Sequence, residues 1–342
     1  MKVLKKVAAV ILGGVLFLAG LLKLMDPLGT SLIVEAYFKF LHLSFLNPAS
    51  GAFGFAFALI ETVLGAAIVT GVWKKVVGWI TLGVLGFFTI LTLLLVIFNP
   101  QMDCGCFGEA IHLTHLQSLI KNLVLLALWA LVFVLPGQSV KALKIKYVSF
   151  SIVVLSVLLF AIYFKFFSLP AMDFTAYKVG NDINTEILAF YDENGEYCDE
   201  LALSGDVAVI SIYNPKALKP GDWAKLSDFS SVARDCGCQP LILCSGNPSE
   251  SDACIPGSEL SEITYYADRK EIMTLNRSNG GVVLMSDGLI VSKWTLHSLP
   301  DGEAVSCMFG KTKVETISEF SAGHRLRLQA FLLYAFAVML LL

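Results

Sequence analysis

Runs of apolar residues separated by short polar loops dominate the first half of the chain. A bilayer core requires about 17–25 consecutive apolar residues in a helix. Because unpaired backbone amides are costly in lipid, such segments are predicted to be helices that span a lipid bilayer. The predicted spans are 7–25, 51–71, 78–98, 119–136 and 147–168, with a short terminal span at 328–342.

Lysines without acidic neighbours occur in three segments outside the predicted spans: before the first span, between the second and third, and between the fourth and fifth. These segments are called the three lysine loops. Because cytoplasmic loops are rich in Lys and Arg, we expect these three loops in the cytoplasm. The loops 26–50 and 99–116 and the stretch 170–325 are then expected on the outer side, where residues 31–45 are predicted to form an amphipathic helix. Lysines near span ends on that side are expected to extend toward the interface. The cytoplasmic set is Lys2, Lys5, Lys6, Lys74, Lys75, Lys141, Lys144 and Lys146, and the outer set is Lys23, Lys39, Lys121 and Lys165.

The stretch 170–325 differs from the apolar part in charge and in periodicity. It holds 23 acidic and 12 basic residues, which argues against a nucleic-acid partner because that partner requires a basic face. Apolar runs at 207–213 and 240–244 are typical of buried strands, and 281–285 with 289–293 predict a hairpin. Alternating strands and helices of this kind predict a mixed sheet covered by helices.

The tripeptide Cys104-Gly105-Cys106 lies in the loop before the fourth predicted span. A disulfide in so small a ring is expected to be strained, and strained, exposed disulfides are labile and oxidising. We therefore predict a catalytic pair that accepts electrons from an exported client protein with thiols. A membrane-soluble acceptor such as a quinone would then take the electrons. A permanent disulfide that only fixes the loop is the alternative.

Two histidines, His112 and His115, follow the cysteine pair. One of them is a candidate catalytic base, because the thiolate is the reactive form of cysteine. Cys and His are also zinc ligands, but their spacing here matches no common zinc finger. We therefore predict no metal and keep metal binding as the weaker alternative.

Glu61 lies near the middle of the second predicted span. An ionisable side chain in the membrane is costly and is functional by default. We predict that Glu61 relays a proton released during thiol oxidation, or that it pairs with Lys23. A protonated carboxyl group bonded to a neighbouring helix is the alternative.

Six further cysteines lie in the exported stretch, where an oxidising compartment allows them to pair. Cys236-Gly237-Cys238 repeats the membrane tripeptide, so a relay between the two pairs and a structural role both remain open. Cys244 and Cys254 flank a polar loop that a disulfide would close. The last two, Cys198 and Cys307, either pair with each other or remain thiols.

Short stretches of the membrane part carry a family resemblance: Gly20-Leu21-Leu22-Lys23, Asp26-Pro27, Glu61-Thr62-Val63-Leu64-Gly65 and Asp103-Cys104-Gly105-Cys106-Phe107-Gly108. They resemble the DoxX-like family, in the branch that includes the methylamine-utilisation protein MauE. The resemblance covers about residues 1–140 and implies a four-helix core, to which the spans 147–168 and 328–342 are added. That family is similar to the four-helix thiol oxidoreductases of the DsbB and vitamin K epoxide reductase type, which implies disulfide formation in exported proteins. Those enzymes use Cys-x-x-Cys, whereas this chain has Cys-x-Cys.

The exported part, 170–325, resembles the thioredoxin-like domains that are fused to such membrane proteins in Bacteroidetes. The stretches Asp173–Gly180 and Arg277–Leu284 carry the resemblance, with Lys293-Trp294 after the hairpin. The segment Asn214–Lys219 stands where Cys-x-x-Cys would be, so this domain lacks the usual thiol pair. A binding or docking role is therefore expected for it.

These features together predict a multi-pass protein of the bacterial inner membrane with a periplasmic α/β domain. Its predicted function is thiol–disulfide exchange or redox maturation of exported proteins. The alternative is a non-catalytic membrane scaffold whose thioredoxin-like domain binds a partner and whose cysteines are structural. A membrane subunit of a respiratory complex is a third interpretation, suggested only by the DoxX relatives.

Overall fold

The computed structural model describes residues 2–135, 143–166, 169–183, 188–246, 248, 254–300 and 312–342. The chain divides into two compact units. The helical unit comprises Met1–Phe166 and Ala330–Leu342, and the sheet unit comprises Phe167–Gln329. The prediction of a multi-pass helical region and a separate mixed-sheet domain is confirmed.

Six helices among the described residues are long and apolar enough to cross a membrane. The α-helices whose bounds lie within the described residues are α1 (Lys2–Met25), α2 (Pro27–Phe40), α3 (Ser50–Thr70), α4 (Lys74–Phe98), α5 (His115–Phe133), α6 (Lys144–Phe166), α7 (Pro220–Asp235), α8 (Ser258–Ser261), α9 (Arg269–Leu275) and α10 (Lys313–Leu341). The membrane-length helices are α1, α3, α4, α5, α6 and α10, and the last of them begins well before the predicted residue 328.

Helix α2 begins directly after α1 because the sequence there forms an N-terminal cap. The Oδ1 atom of Asp26 accepts a hydrogen bond from the backbone N–H of Gly29 at 2.9 Å. Pro27 occupies the first turn, where its missing N–H leaves no bond unmade. The amphipathic helix predicted over 31–45 therefore starts earlier and ends at Phe40. It packs against α3 and against the loop 99–114, which carries Cys104 and Cys106 and is called the cysteine loop below.

Helices α1 and α3 approach each other through glycines. A Cβ atom added to Gly65 would lie 2.4 Å from the backbone nitrogen of Phe17. One added to Gly20 would lie 2.5 Å from the carbonyl oxygen of Ala58. Small residues at a helix crossing let the two backbones approach closely in a membrane.

Contacts within the helical unit show which loops share an end. Lys146, at the start of α6, donates from Nζ to the backbone oxygen of Leu342 at 2.6 Å. The rings of Trp73, before α4, and Tyr147 lie 5.6 Å apart. The lysine-bearing starts of α4 and α6 therefore lie together at one end of this unit.

The strands within the described residues are β1 (Cys106–Glu109, in the helical unit), β2 (Phe190–Tyr191), β3 (Asp206–Ile212), β4 (Gln239–Ser245), β5 (Thr264–Ala267), β6 (Gly281–Ser286) and β7 (Leu289–Trp294). In the sheet unit, β2 to β7 form one sheet in the order β2-β5-β4-β3-β6-β7. The central strands β3, β4 and β5 run parallel, and β2, β6 and β7 pair antiparallel with their neighbours. The predicted strand at 187–191 is shorter than expected within the described residues.

Both faces of this sheet are buried under helices. Along β3, Ala208 and Ile210 join one apolar cluster, and Val209 between them joins the other. Trp223 of α7 packs in the first cluster and Ile272 of α9 in the second. The near-continuous apolar sequence of β3 reflects this burial, because a parallel strand covered on both sides needs no polar face.

Candidate functional site

The cysteine loop is closed tightly against α2. Gly105 has φ of +64°, in the left-handed region that favours glycine. A Cβ atom at this position would also lie 2.4 Å from Cγ2 of Ile33. With glycine between them, the Sγ atoms of Cys104 and Cys106 lie 2.7 Å apart. The two thiols can therefore exchange with a disulfide with little movement of the backbone.

Cys104 is the enclosed member of the pair, with 5% of its surface exposed. The Tyr37 hydroxyl donates to the backbone oxygen of Cys104 at 2.8 Å and lies 3.9 Å from its Sγ. The hydrogen bond with Cys106 and burial raise the pKa of the Cys104 thiol. The buried Ser118 hydroxyl lies beside this sulfur and has no nitrogen or oxygen partner among the described residues. Cys104 is thus held as a protonated thiol.

Cys106 is half-buried and stands among positive charges. The hydrogen bond from Cys104 and the ammonium groups of Lys121 and Lys23 lower the pKa of Cys106 to about 5, although burial acts in the opposite direction. A cysteine with this pKa is a thiolate at neutral pH. Lys121 is fixed by its ring contact, with Nζ 5.2 Å from the centroid of Phe107.

A buried ion pair joins α1 to α3. Nζ of Lys23 lies 2.7 Å from Oε2 of Glu61, and these residues are 7% and 4% exposed. The predicted pairing of Glu61 with Lys23 is therefore present in the structure. The expectation that Lys23 extends toward the interface is wrong, because its ammonium turns inward to the carboxylate. The role of Glu61 as a proton relay stays a prediction.

The two histidines point to other groups than the sulfurs. Nδ1 of His112 lies 3.0 Å from Oδ2 of Asp103, and both side chains are exposed. Nε2 of His115 lies 2.9 Å from the backbone oxygen of Met102. Within the described chain, no three His, Cys, Asp or Glu side chains gather in the manner of a metal site. The catalytic role predicted for either histidine remains a prediction without a contact that supports it.

The second tripeptide, Cys236-Gly237-Cys238, forms the end of α7. The backbone N–H of Cys238 donates to Ala233 and that of Gly237 to Arg234, at 2.9 and 3.0 Å. Gly237 has φ of +81°. These are the bonds and the left-handed glycine of a Schellman motif, which ends a helix. Its glycine is therefore explained by helix termination.

The remaining cysteines of the sheet unit differ in burial. The bridge predicted between Cys244 and Cys254 stays a prediction, and the Cys244 side chain lies in the apolar cluster that covers β4. Cys238 is 2% exposed, and burial raises its pKa to about 12. The thiol of Cys198 donates to the backbone oxygen of Glu196 at 3.3 Å. Cys307 lies outside the described residues.

Three residues of the site escaped the sequence analysis. Lys121 was expected to extend toward the interface, and Tyr37 and Ser118 carried no predicted role. Ser118 and Lys121 lie three residues apart on α5 and therefore share one face of this helix. Two polar residues on one helix face directly after the cysteine loop are the sequence feature that could have predicted their place in the site. Tyr37 comes from α2, so its contact with Cys104 depends on tertiary packing.

Comparison with known proteins gives one match. Residues 1–136 match the family described as methylamine utilisation protein MauE. No curated protein and no solved structure matches the chain. The match includes the ion pair, the cysteine loop and all of α5, and it stops before α6. Residues 1–136 are therefore similar to the MauE family, and helices of membrane length build this part of the chain.

Proposed function

We propose that this protein is a membrane thiol–disulfide oxidoreductase that acts on exported proteins through Cys104 and Cys106. The observation that carries the proposal is the pair itself: two sulfurs 2.7 Å apart, one of them beside the Lys121 ammonium. Activated cysteines occur in electropositive, partly exposed surroundings, whereas structural cysteines are buried in apolar ones. The description of the matched family, methylamine utilisation, indicates the biological context in which an exported client is to be sought.

The proposed reaction is an exchange of two electrons between two dithiols. In its oxidised form, the Cys104–Cys106 disulfide accepts two electrons from a client dithiol. The client S–S bond forms, the Cys104–Cys106 bond breaks, and the two client protons pass to the pair and to water. A lipid-soluble quinone then takes two electrons from the reduced pair, one proton from the Cys104 thiol and one proton from water, and the Cys104–Cys106 disulfide is restored.

The proposal places the cysteine loop and the sheet unit on the outer side of a bacterial inner membrane. The support is the charge pattern, since the lysines at the starts of α4 and α6 lie at one end of the helical unit and cytoplasmic loops are basic. The loop 99–116 follows α4, so it lies at the opposite end if α4 crosses once.

The sheet unit serves in this proposal as a thioredoxin-like docking domain. The order of its strands, with parallel β3 and β4 followed by the antiparallel hairpin β6–β7, supports that fold. At the end of β3, where a thioredoxin-like domain would carry its thiols, Asn214 and Asn279 bond reciprocally through side chain and backbone at 3.0 and 2.8 Å. Recognition of the client, without electron transfer, is the role left to this unit.

The test is differential alkylation of the whole protein in membranes after graded reduction. We expect one dithiol to open and close reversibly under mild thiol buffers, and this change to vanish in the Cys104→Ser/Cys106→Ser variant. The matched control is Cys236→Ser/Cys238→Ser, which removes the same tripeptide from the sheet unit and should leave the change intact. A pair that stays locked until the protein unfolds would instead support the non-catalytic scaffold.

A further inference from the structure

The site is asymmetric, and this asymmetry assigns different roles to its two sulfurs. We infer that Cys106 is the sulfur that bonds covalently to the client, and that Lys121 is the catalytic residue that holds this sulfur as the thiolate. Cys104 is then the internal thiol that resolves the mixed disulfide. The inference rests on the exchange function proposed above and specifies which atoms perform it.

Access favours Cys106. It is half-buried, whereas Cys104 is enclosed between the loop, Tyr37 of α2 and Ser118 of α5. A client disulfide is a bulky electrophile whose sulfur must approach the attacking thiolate directly. Cys104 is well placed for a different task, because its Sγ lies 2.7 Å from the sulfur it would attack.

Charge also favours Cys106. The Lys121 ammonium lies 5.2 Å from the ring centroid of Phe107, the residue next to Cys106, and its charge acts on that sulfur. Among the described residues Lys121 forms no ion pair with a carboxylate. Lys23 also faces this sulfur, but its ammonium is already paired with Glu61 at 2.7 Å. The uncompensated positive charge next to the pair is therefore that of Lys121.

The groups that face Cys106 come from every element packed around it. Lys121 comes from α5, Lys23 from α1 and Glu61 from α3. Cys104 lies in its own loop, and Tyr37 of α2 stands beside both sulfurs. Two ammonium groups against one carboxylate leave a net positive balance, which a thiolate at Cys106 neutralises.

The covalent steps follow from this assignment. In the direction that reduces a client, the Cys106 thiolate attacks one client sulfur: the Cys106–client bond forms, the client S–S bond breaks, and the released thiolate takes a proton from water. Cys104 then loses its proton and attacks Cys106, so the Cys104–Cys106 bond forms and the second client thiolate leaves. Two electrons pass from the pair to the client. Client oxidation is the reverse, with the Tyr37 and Ser118 hydroxyls donating to the departing Cys104 sulfur.

The first test compares the two single-cysteine variants with glutathione disulfide as the probe. Purified full-length Cys104→Ser should form a mixed disulfide with glutathione at Cys106 at least tenfold faster than Cys106→Ser forms one at Cys104, read by peptide mass spectrometry. Equal rates, or a faster reaction at Cys104, would overturn the assignment. Wild-type protein that never forms its internal disulfide, while Cys104→Ser still reacts quickly, would refute the proposed function and leave the assignment standing.

The second test isolates Lys121 in the Cys104→Ser background. The rate of iodoacetamide reaction at Cys106 is measured between pH 4 and pH 9, which gives the midpoint of thiolate formation. Lys121→Met should move this midpoint upward and slow the reaction at pH 6 at least tenfold. Lys121→Arg should restore it, because the charge returns.

The matched control for Lys121 is Lys165→Met. Lys165 also lies near an end of a spanning helix with its Nζ over a ring, 4.9 Å from the centroid of Phe55. Removing it should leave the midpoint unchanged, and thermal unfolding in detergent verifies that both methionine variants are folded. A midpoint that Lys121→Met does not move would remove Lys121 from the mechanism.

Discussion

Cys104-Gly105-Cys106 in the helical unit and Cys236-Gly237-Cys238 in the sheet unit are identical in sequence and opposite in surroundings. The first lies in a loop beside Lys121, and its second cysteine has a pKa of about 5. The second ends α7, and its second cysteine lies in an apolar cluster with a pKa of about 12. Gly105 leaves room for the Ile33 side chain, which a Cβ atom would contact at 2.4 Å, whereas Gly237 ends helix α7.

The comparison teaches that the tripeptide alone does not determine reactivity. Gly is required at both places by a positive φ, so its presence carries no information on chemistry. What differs is the electrostatic environment, since a thiolate is stabilised by nearby ammonium groups and destabilised by burial without them. Each unit also contains an ion pair between a buried lysine and a carboxylate: Lys23–Glu61 in the helical unit and Lys293–Asp173 in the sheet unit. Among the described contacts, only Lys23–Glu61 lies near a cysteine pair.

The two buried pairs should differ most when one partner is removed. Lys23→Met leaves the Glu61 carboxyl enclosed and is expected to cost about 3–5 kcal/mol of unfolding free energy. Lys293→Met should cost less, because the Asp173 side chain keeps 26% exposure. Denaturant titration of the purified protein, followed by circular dichroism, measures both. Lys23→Met/Glu61→Leu should recover most of the loss, and a double variant no more stable than the single one would contradict the pairing.

The next largest difference is expected in the alkylation rates of Cys106 and Cys238, the second cysteines of the two tripeptides. At neutral pH, a pKa near 5 leaves Cys106 almost fully ionised, whereas a pKa near 12 leaves Cys238 ionised at about one part in 10⁵. The greater intrinsic nucleophilicity of the rarer thiolate offsets part of this, so we expect about a hundredfold faster alkylation of Cys106. The rate at Cys106 should be flat above pH 6.5 and fall as the pH drops through 5. Mass spectrometry of time-resolved iodoacetamide labelling gives both rates, and similar rates would break the comparison.

The two glycines provide the smallest contrast. Alanine in the left-handed region costs about 1–2 kcal/mol at either position. At Gly237 a Cβ meets nothing within 4 Å, while at Gly105 it meets Ile33. Gly105→Ala should therefore lower the unfolding free energy by about 1 kcal/mol more than Gly237→Ala does. The measurement is the melting temperature, which should fall further for Gly105→Ala. Gly105→Ala combined with Ile33→Ala should remove the difference, and a persistent difference would place the strain elsewhere.

Hydrophobic patterning predicts the larger architecture well and its boundaries less well. A helix in a bilayer must be apolar along its length, and a soluble sheet must bury its apolar faces under helices. These requirements make the membrane-length runs and the strand–helix alternation of 170–325 visible in the sequence. The pattern misplaces the start of α2, because Asp26-Pro27 was interpreted as a break after α1 and is also the cap of the next helix. The thioredoxin-like fold of the sheet unit stays a prediction.

The site was predictable only in part. The cysteine pair and the Glu61–Lys23 pairing could be proposed because thiols and intramembrane charges are rare enough to stand out. Lys121 could not, because its contact with Cys106 depends on how α5 packs beside the loop. The sequence does not show that Cys236-Gly237-Cys238 ends a helix, because a Schellman end and a redox pair can have the same letters; the backbone bonds show the helix end. The choice between a relay and a structural role for these cysteines stays a prediction.

Gly20 and Gly65 contribute no functional group, yet they govern how near one helix axis can come to another. Nζ of Lys23 reaches Oε2 of Glu61 because nothing larger than hydrogen stands at the crossing of α1 and α3. A single methyl group there would hold the two helices further apart and would move the Lys23 ammonium relative to the two sulfurs. Variation at these inert positions therefore deserves the same scrutiny as variation at the cysteines themselves.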